Sequence, residues 1–201
     1  MSNVELNKAE QTKALRRDIR ARIMNLSAGY CLEADKAIIR LLIESEAFDK
    51  AEKIFCFVGR SNEIDTWPIL TEILRRGKTL CVPLCTAEKG CMEARSLTDL
   101  SQLRPGRYGI LEPDPKTSTL VEPEELDLVL APCLSCTREG VRLGQGIGYY
   151  DRYLAKVQAP TVVLCREKLI SESLPQEPWD LTFRYVLTEN GLQSGDAGSH
   201  D

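Results

Sequence analysis

A glycine-rich loop between a predicted strand and a predicted helix constrains this chain more than any other stretch. Three glycines alternate within residues 144–148, and residues 149–154 then turn helical. Upstream, the apolar run 127–132 ends in proline and is typical of a buried strand. Glycines let a backbone approach a phosphate, and unpaired amides at a helix start point at it. The stretch therefore predicts an α/β fold with an anion site, flanked by Arg142 and Arg152.

The residues after the loop make the prediction more specific. The loop lacks the Gly-Lys-Ser/Thr ending of a Walker A motif and the G-x-G-x-x-G spacing, so by itself it is also compatible with a purely structural turn. Tyr149 and Tyr150, in one helical turn, cannot both face the core. Asp151 would repel a neighbouring phosphate unless a metal ion lies between them. We therefore expect nucleotide phosphates with Mg²⁺, and Asp151 as a candidate ligand of the metal.

Residues 142–154 read Arg-Leu-Gly-x-Gly-x-Gly-Tyr-Tyr-Asp-Arg-Tyr-Leu, which resembles the signature of the 5-formyltetrahydrofolate cyclo-ligases, also called 5,10-methenyltetrahydrofolate synthetases. The similarity extends from about Lys13 to about Glu189. It implies a three-layer α/β/α sandwich with a predominantly parallel sheet, of the NagB/RpiA/CoA-transferase-like type. The implied reaction is the ATP-dependent cyclisation of 5-formyltetrahydrofolate to 5,10-methenyltetrahydrofolate, with release of ADP and phosphate. A phosphorylated formyl group, an iminophosphate, would be the intermediate.

The resemblance also implies roles for individual residues. Residues expected to bind ATP come from the N-terminal helix and the glycine loop: Lys13, Arg16, Arg142, Leu143, Gly144, Gln145, Gly146, Ile147, Gly148, Tyr149 and Tyr150. Those expected to contact the folate are Val58, Glu63, Tyr108 and Tyr149. Asp151 and Asp180 are expected to hold Mg²⁺, with ATP as co-substrate.

Several of these residues also have plainer interpretations from the sequence alone. Arg16 fits the solvated basic face of an amphipathic helix, Tyr108 an ordinary loop, and Asp180 a turn after a proline. Near Glu63, Asp65 or Thr66 is suited to capping the next helix. These interpretations stay open at the level of sequence.

Three departures from the family pattern motivate a second hypothesis. Residues 133–137, Cys-Leu-Ser-Cys-Thr, lack the expected aromatic and acid; Thr12 stands at a lysine position, beside Lys13; and Trp179 replaces a histidine. The alternative is a catalytically impaired homologue that binds folate or nucleotide. A third hypothesis is another enzyme on a sugar-phosphate isomerase or CoA-transferase-like scaffold.

Composition restricts the remaining function classes. The 201 residues, 43% hydrophobic and 28% charged, fit one globular domain over residues 1–190, and the small, polar residues 191–201 are expected to be a disordered tail. A net charge of −4 disfavours nonspecific nucleic-acid binding. No apolar run is long enough to span a bilayer, and no signal peptide precedes the first helix. We expect a cytoplasmic monomer that acts on small molecules.

Cysteine and histidine usage limits the chemistry further. Without a secretory signal the eight cysteines do not predict a disulfide framework, and most lie in apolar segments. Cys133 and Cys136 form a C-x-x-C motif with no second pair, so a zinc site and a redox role are both minor hypotheses. The single histidine, His200, lies in the tail, so histidine-based catalysis is not expected. Chemistry is left to carboxylates, tyrosines, basic side chains or a metal.

Overall fold

The structure is a computed structural model that describes residues 3–177 and 180–195, with side chains described from Lys8 onward. Within these ranges the chain forms five α-helices: α1 (Asn3–Met24), α2 (Ala28–Ile43), α3 (Glu46–Lys50), α4 (Trp67–Arg75) and α5 (Tyr149–Leu154). The strands there are β1 (Lys53–Cys56), β2 (Thr79–Cys85), β3 (Met92–Leu97), β4 (Leu103–Pro105), β5 (Leu111–Pro113), β6 (Thr119–Val121), β7 (Leu128–Pro132), β8 (Ser135–Cys136), β9 (Arg142–Leu143), β10 (Thr161–Leu164), β11 (Tyr185–Thr188) and β12 (Gly191–Ser194).

One mixed sheet organises the fold. Its strand order is β12-β11-β10-β7-β1-β2-β3-β6. The five central strands, from β11 to β2, run parallel, whereas β12, β3 and β6 pair antiparallel at the two sides. Two small antiparallel pairs, β4–β5 and β8–β9, lie outside this sheet. The predicted α/β fold with a mostly parallel sheet is confirmed.

Alternation along the central strands places apolar side chains on both faces of the sheet. On β1, Ile54 packs in one buried cluster and Phe55 in another. The first cluster includes side chains of α2, α3 and α4, and the second includes side chains of α1 and α5. Each face of the sheet is therefore covered by its own layer of helices. This agrees with the apolar residues found on both faces of its parallel strands. This is the expected α/β/α arrangement.

Thr66 shows how the loop after β1 is closed. It stands at the N-cap of α4 but makes no capping bond. Its buried hydroxyl donates to the Phe57 carbonyl oxygen at 2.8 Å and accepts from the Gly59 N–H at 2.9 Å. Asp65 Oδ1 instead accepts the Trp67 N–H at 3.1 Å. Of the two capping candidates, Asp65 therefore serves the start of α4, and Thr66 holds the loop that carries Glu63.

The structure departs from the sequence expectation at the C-terminus. Residues 191–194, expected to belong to a disordered tail, form β12, which pairs antiparallel with β11. The edge of β11 offers unpaired main-chain groups, and a two-residue turn at 189–190, followed by Gly191 with φ of +126°, brings the chain back to satisfy them. Trp179 and His200 lie outside the described residues. Among the described residues, no helix has the length and apolar character needed to cross a membrane.

Candidate active site

The glycine loop, residues 144–148, lies beside the carboxyl ends of β1 and β7. Phe57 and Val58 continue from β1, and Pro132 and Cys133 close β7; together with the loop they line one cavity. In parallel α/β sheets, ligands bind beyond the carboxyl ends of strands, because neighbouring loops diverge there. The predicted anion loop therefore lies at the expected edge of the sheet.

Each glycine of the loop has an arginine against it. A Cβ added to Gly144 would lie 3.0 Å from Arg142, one on Gly146 would lie 3.1 Å from Arg16, and one on Gly148 would lie 2.7 Å from Arg152. Arg16 Nε donates to the Gly144 carbonyl oxygen at 3.0 Å, and Arg152 donates to the Ile147 carbonyl oxygen at 2.9 Å. Gly146 and Gly148 also have positive φ, of +99° and +80°. Because these three glycines have no side chain, three arginine guanidinium groups can approach the backbone of the loop.

The main-chain N–H groups of the loop are free to bind a ligand. Within the described part of the chain, none of the amides of residues 144–148 donates a hydrogen bond to another protein group. Unpaired amides beside three guanidinium groups form a surface suited to an anion with several oxygens.

Two cavities meet at this loop. The first, which we call the arginine cavity, has a volume of about 520 Å³ and is lined by Ala9, Thr12, Arg16, Arg142, Leu143, Gly144, Gly146, Ile147, Gly148, Asp151, Arg152, Pro175, Glu177 and Asp180. The second, the tyrosine cavity, has a volume of about 290 Å³, and its lining includes Arg20, Val58, Arg60, Glu63, Cys85, Tyr108, Glu112, Cys133, Tyr149 and Tyr150. Arg142, Gly144, Gly146, Ile147, Gly148 and Asp151 line both. These six residues form a shared wall.

Helix α1 presents Thr12 and Arg16, which are one turn apart, to the arginine cavity. Lys13 is exposed and does not line it, so its assignment to this site stays a prediction that the lining of the cavity does not support. Neighbouring residues on a helix point about 100° apart, so Lys13 cannot share the face of Thr12.

The sequence reasoning missed Arg20, whose Nη2 donates to Gln145 Oε1 at 2.9 Å. Its four-residue spacing from Arg16 was the available signal.

Arg142 is the most constrained side chain of the shared wall. Its side chain is 3% exposed, and its guanidinium donates to the Pro132 carbonyl oxygen at 3.1 Å and pairs with Asp151. The rings of Tyr150 and Phe183 lie 5.7 and 5.8 Å from the guanidinium carbon. Within the described residues its buried Nε has no hydrogen-bond partner. The Arg142 guanidinium is thus held in place by its neighbours, and its Nε–H can still donate a hydrogen bond to a ligand.

Asp151 and Asp180 line the arginine cavity, as predicted for a pair of acids. Asp180 Oδ2 accepts the Glu177 N–H at 2.8 Å, which holds the carboxylate in place. Burial lowers the pKa of Arg16, and Arg20 lowers it further, whereas the charges of Asp151 and Asp180 raise it. Both acids therefore act on the same guanidinium, and their oxygen atoms are the ligand type that Mg²⁺ takes.

The tyrosine cavity contains Glu63 in a fixed orientation. Its carboxylate accepts from Arg60 Nη2 at 2.9 Å and from the Arg60 N–H at 3.1 Å. Its carbonyl oxygen accepts from Arg166 at 2.7 Å. Arg166 in turn forms a buried two-point ion pair with Asp35, at 2.7 and 2.9 Å. The sequence reasoning missed this pair, because its members are 131 positions apart and only the fold brings them together.

Aromatic side chains supply the opposite wall. The hydroxyl oxygens of Tyr108 and Tyr149 are 3.3 Å apart, and their rings meet edge to face at a centroid distance of 6.0 Å. This hydrogen bond is the main reason that the pKa of Tyr108 is raised. Burial raises the pKa of Tyr150 well above its ordinary value. Tyr150 packs edge to face against Phe55 of the core and also lines the cavity, so the two adjacent tyrosines do not both turn into the core.

Comparison with known proteins gives a consistent result. A family model described as the 5-formyltetrahydrofolate cyclo-ligase family matches residues 8–189. A Mus musculus protein named 5-formyltetrahydrofolate cyclo-ligase is 27% identical over 211 residues, which cover 96% of this chain and 100% of that protein. An Escherichia coli K12 protein of the same name is 29% identical over 142 residues, 69% of this chain and 78% of that protein.

Solved structures show the same architecture. The NMR structure of Aquifex aeolicus 5,10-methenyltetrahydrofolate synthetase matches with a TM-score of 0.82 at 27% sequence identity, covering 94% of this chain and 95% of that chain. A 5,10-methenyltetrahydrofolate synthetase from Mycoplasma pneumoniae, 20% identical with a TM-score of 0.71, covers 89% of this chain and 98% of that chain and shares the fold.

Proposed function

Because the chain belongs to the 5-formyltetrahydrofolate cyclo-ligase family, we propose that its two cavities hold the two substrates of that ligase reaction. ATP binds in the arginine cavity, and 5-formyltetrahydrofolate binds in the tyrosine cavity. The enzyme joins N10 of the folate to the formyl carbon on N5, and gives 5,10-methenyltetrahydrofolate, ADP and phosphate.

The chemistry requires activation of a poor electrophile. The formyl oxygen attacks the γ-phosphorus of ATP, the bond to ADP breaks, and the formyl group becomes an iminophosphate. N10 then attacks the formyl carbon, loses its proton, and phosphate leaves with the former formyl oxygen. No step needs a protein nucleophile, so the protein must position two ligands and stabilise charge.

The shared wall is the observation that carries this proposal. Phosphoryl transfer requires the γ-phosphate to meet the formyl oxygen, so the two binding sites must adjoin. Six residues face both cavities, and Arg142 and Asp151 are among them. A guanidinium fixed at that boundary is suited to stabilising negative charge on the phosphoryl group in transit.

The arginine cavity fits a triphosphate by charge and by donor count. Arg16, Arg142 and Arg152 line it, and the free amides of the glycine loop add neutral donors. Asp151 and Asp180 would hold Mg²⁺ together with phosphate oxygens and water, since carboxylates suit this ion. When bound, Mg²⁺ supplies charge neutralisation to the phosphate oxygens.

The tyrosine cavity fits a folate ring system. The Glu63 carboxylate, oriented by Arg60, can accept hydrogen bonds from the N–H groups of a pterin. Tyr108 and Tyr149 offer aromatic faces for stacking, and Val58 adds an apolar contact. Only part of Tyr108 is buried, with 53% of the residue exposed, so this ring is available to a ligand.

The departures from the family pattern do not favour a catalytically impaired protein. Thr12 contributes no charge to the arginine cavity, but three arginines line the same space. In the segment 133–137, Cys133 and Leu134 line the tyrosine cavity. Trp179 lies outside the described residues.

We propose a monomeric enzyme, which size-exclusion chromatography with light scattering would test. We also propose a cytoplasmic location. A relative from Arabidopsis thaliana, 28% identical over 209 residues, is named a mitochondrial 5-formyltetrahydrofolate cyclo-ligase, so cell fractionation is the direct measurement.

The test of the function is an assay with 5-formyltetrahydrofolate and Mg·ATP, which follows methenyl absorbance and ADP together. Equal amounts of the two products are expected. Asp151→Ala should lower kcat/KM on the order of a hundredfold or more, because it removes a proposed carboxylate ligand of Mg²⁺ and the partner that orients Arg142 at the shared wall. Asp18→Ala, an exposed acid on α1 outside both cavities, is the matched control. Folate binding without product, or near-normal turnover by Asp151→Ala, would contradict the assignment.

A further inference from the structure

Three cysteines meet beneath the tyrosine cavity. Cys133 follows β7, Cys136 lies in β8, and Cys165 follows β10. Their Sγ atoms all lie within 4.8 Å of one another. Cys136 and Cys165 are buried, whereas Cys133 is partly exposed and lines the tyrosine cavity. One sulfur of the cluster can therefore be reached by a small molecule, and two lie behind it.

Cys133 and Cys165 stand directly opposite each other on neighbouring strands. In the parallel register of β7 and β10, Pro132 pairs with Leu164, so the next residues of each strand face one another. Both cysteines line a small cavity of about 20 Å³, and Cys133 Sγ donates to the Leu164 carbonyl oxygen at 3.5 Å. Neighbouring strands are about 4.8 Å apart, within the Cα separation that a disulfide spans.

We propose that Cys133 is a site of oxidation by hydroperoxides, and that Cys165 captures the oxidised sulfur as a disulfide. Oxidation-sensitive cysteines combine thiolate character, access and a nearby second thiol. Cys133 has access through the cavity and a second thiol across the strand pair. Hydrogen bonds from Cys136 and Cys165, together with the charge of Arg142, hold the pKa of the Cys133 thiol well below its ordinary value despite burial.

The steps balance as follows. The Cys133 thiolate attacks one oxygen of the peroxide, the O–O bond breaks, and the other oxygen leaves as water or an alcohol after taking a proton. Cys133 is now a sulfenic acid. Cys165 Sγ attacks its sulfur, the S–O bond breaks, and water leaves with the thiol proton. The two sulfurs lose two electrons, which the peroxide gains.

Oxidation at this position changes a wall of the tyrosine cavity. This consequence rests on the proposed function, because it assumes that folate binds there. A bound folate should then shield Cys133 from peroxide, and the disulfide should lower cyclo-ligase activity until a thiol reductant restores it.

Peptide mapping of peroxide-treated protein tests the modification separately from activity. Trypsin leaves Cys133 and Cys136 in one peptide, residues 117–138, and Cys165 in another, residues 157–166. A reductant-sensitive link between these two peptides is expected, and it should persist in Cys136→Ser. In Cys165→Ser, dimedone should instead trap a sulfenic acid on Cys133. An internal Cys133–Cys136 bond, or no bond, would overturn the proposal.

Cys85 provides an internal control, because it lines the same cavity. Burial, followed by its contact with Glu112, raises the pKa of Cys85 to about 12. Because the thiol pKa of Cys133 is lowered whereas that of Cys85 is raised, Cys133 should react with iodoacetamide faster than Cys85. Equal labelling rates would overturn the proposal, as would a stoichiometric metal ion on the three sulfurs of the purified protein. Formation of the disulfide with unchanged activity would overturn its link to the cavity.

Discussion

Replacing Gly146 with alanine isolates the contribution of the glycine loop to ATP binding. Gly146 has φ of +99°, a region that costs a residue with a Cβ about 1–2 kcal/mol. The new methyl group would also lie 3.1 Å from the Arg16 guanidinium carbon, so Arg16 must move. If the free loop relaxes to relieve this strain, ATP must restore the original conformation on binding. The lost 1–2 kcal/mol corresponds to a rise of about 5- to 30-fold in the KM for ATP.

Gly77→Ala is the matched control for this substitution. Gly77 has φ of +72°, follows α4, and has no atom within 4 Å of an added Cβ. Its backbone penalty should be similar and should appear as a loss of a few degrees in Tm, whereas Gly146→Ala should lose less stability because its loop relaxes in the free protein. Only Gly146→Ala should raise the KM for ATP, with the KM for 5-formyltetrahydrofolate changed less. Steady-state kinetics with each substrate varied in turn, beside thermal unfolding, decides the matter. An unchanged KM for ATP in a destabilised Gly146→Ala would refute the reasoning.

Three further predictions concern the cavities and the scaffold. Arg16→Ala should raise the KM for ATP about tenfold or more, whereas Lys13→Ala should change it less than about twofold, since only Arg16 lines the arginine cavity; equal effects would restore Lys13 to the site. Arg166→Leu should lower the free energy of unfolding by about 3–5 kcal/mol, because it leaves the Asp35 carboxylate buried and unpaired, and adding Asp35→Leu should recover part of the loss in urea denaturation. Hydrogen bonds from two arginines lower the pKa of Glu72 from 4.5 to about 2; the stability that Glu72 contributes is therefore complete above pH 4.5 and is lost as the pH falls toward 2. The difference in unfolding free energy between wild type and Glu72→Gln should shrink over that range, and a constant difference would refute the pairing.

Local signals sufficed for much of the fold and for part of the site. The apolar run at residues 127–132 predicted β7, because buried parallel strands carry their burial in their own sequence. Ser27 caps α2, where its side chain accepts the Tyr30 N–H at 3.2 Å, and serine is a residue type that favours this position. The glycine loop could be located because three closely spaced glycines before a helix have few other physical uses.

Features that depend on distant partners could not be derived in this way. The C-terminal strand β12 has ordinary polar residues, and it forms because β11 offers an edge. The Asp35–Arg166 pair carries no local signal, since burial of both charges depends on their meeting. The family pattern suggested Lys13, but the register of α1 turns Thr12 and Arg16 toward the arginine cavity and leaves Lys13 exposed. A sequence motif supplies residue types, but a helix's rotation decides which of them reach a ligand.

The shared wall has a thermodynamic consequence. Arg142 is held by Asp151 on one side and by the ring of Tyr150 on the other, and it faces both compartments at once. A nucleotide that draws Asp151 toward its own counter-ion also releases one arm of this guanidinium, whose Nε already lacks a partner. If the substrates bind as proposed, we expect occupancy of either compartment to alter the free energy of filling the other, and linkage makes the effect equal in both directions. Cooperative binding of the two substrates would then depend on Arg142 and its contacts with Asp151 and Tyr150, and it would not require a domain movement.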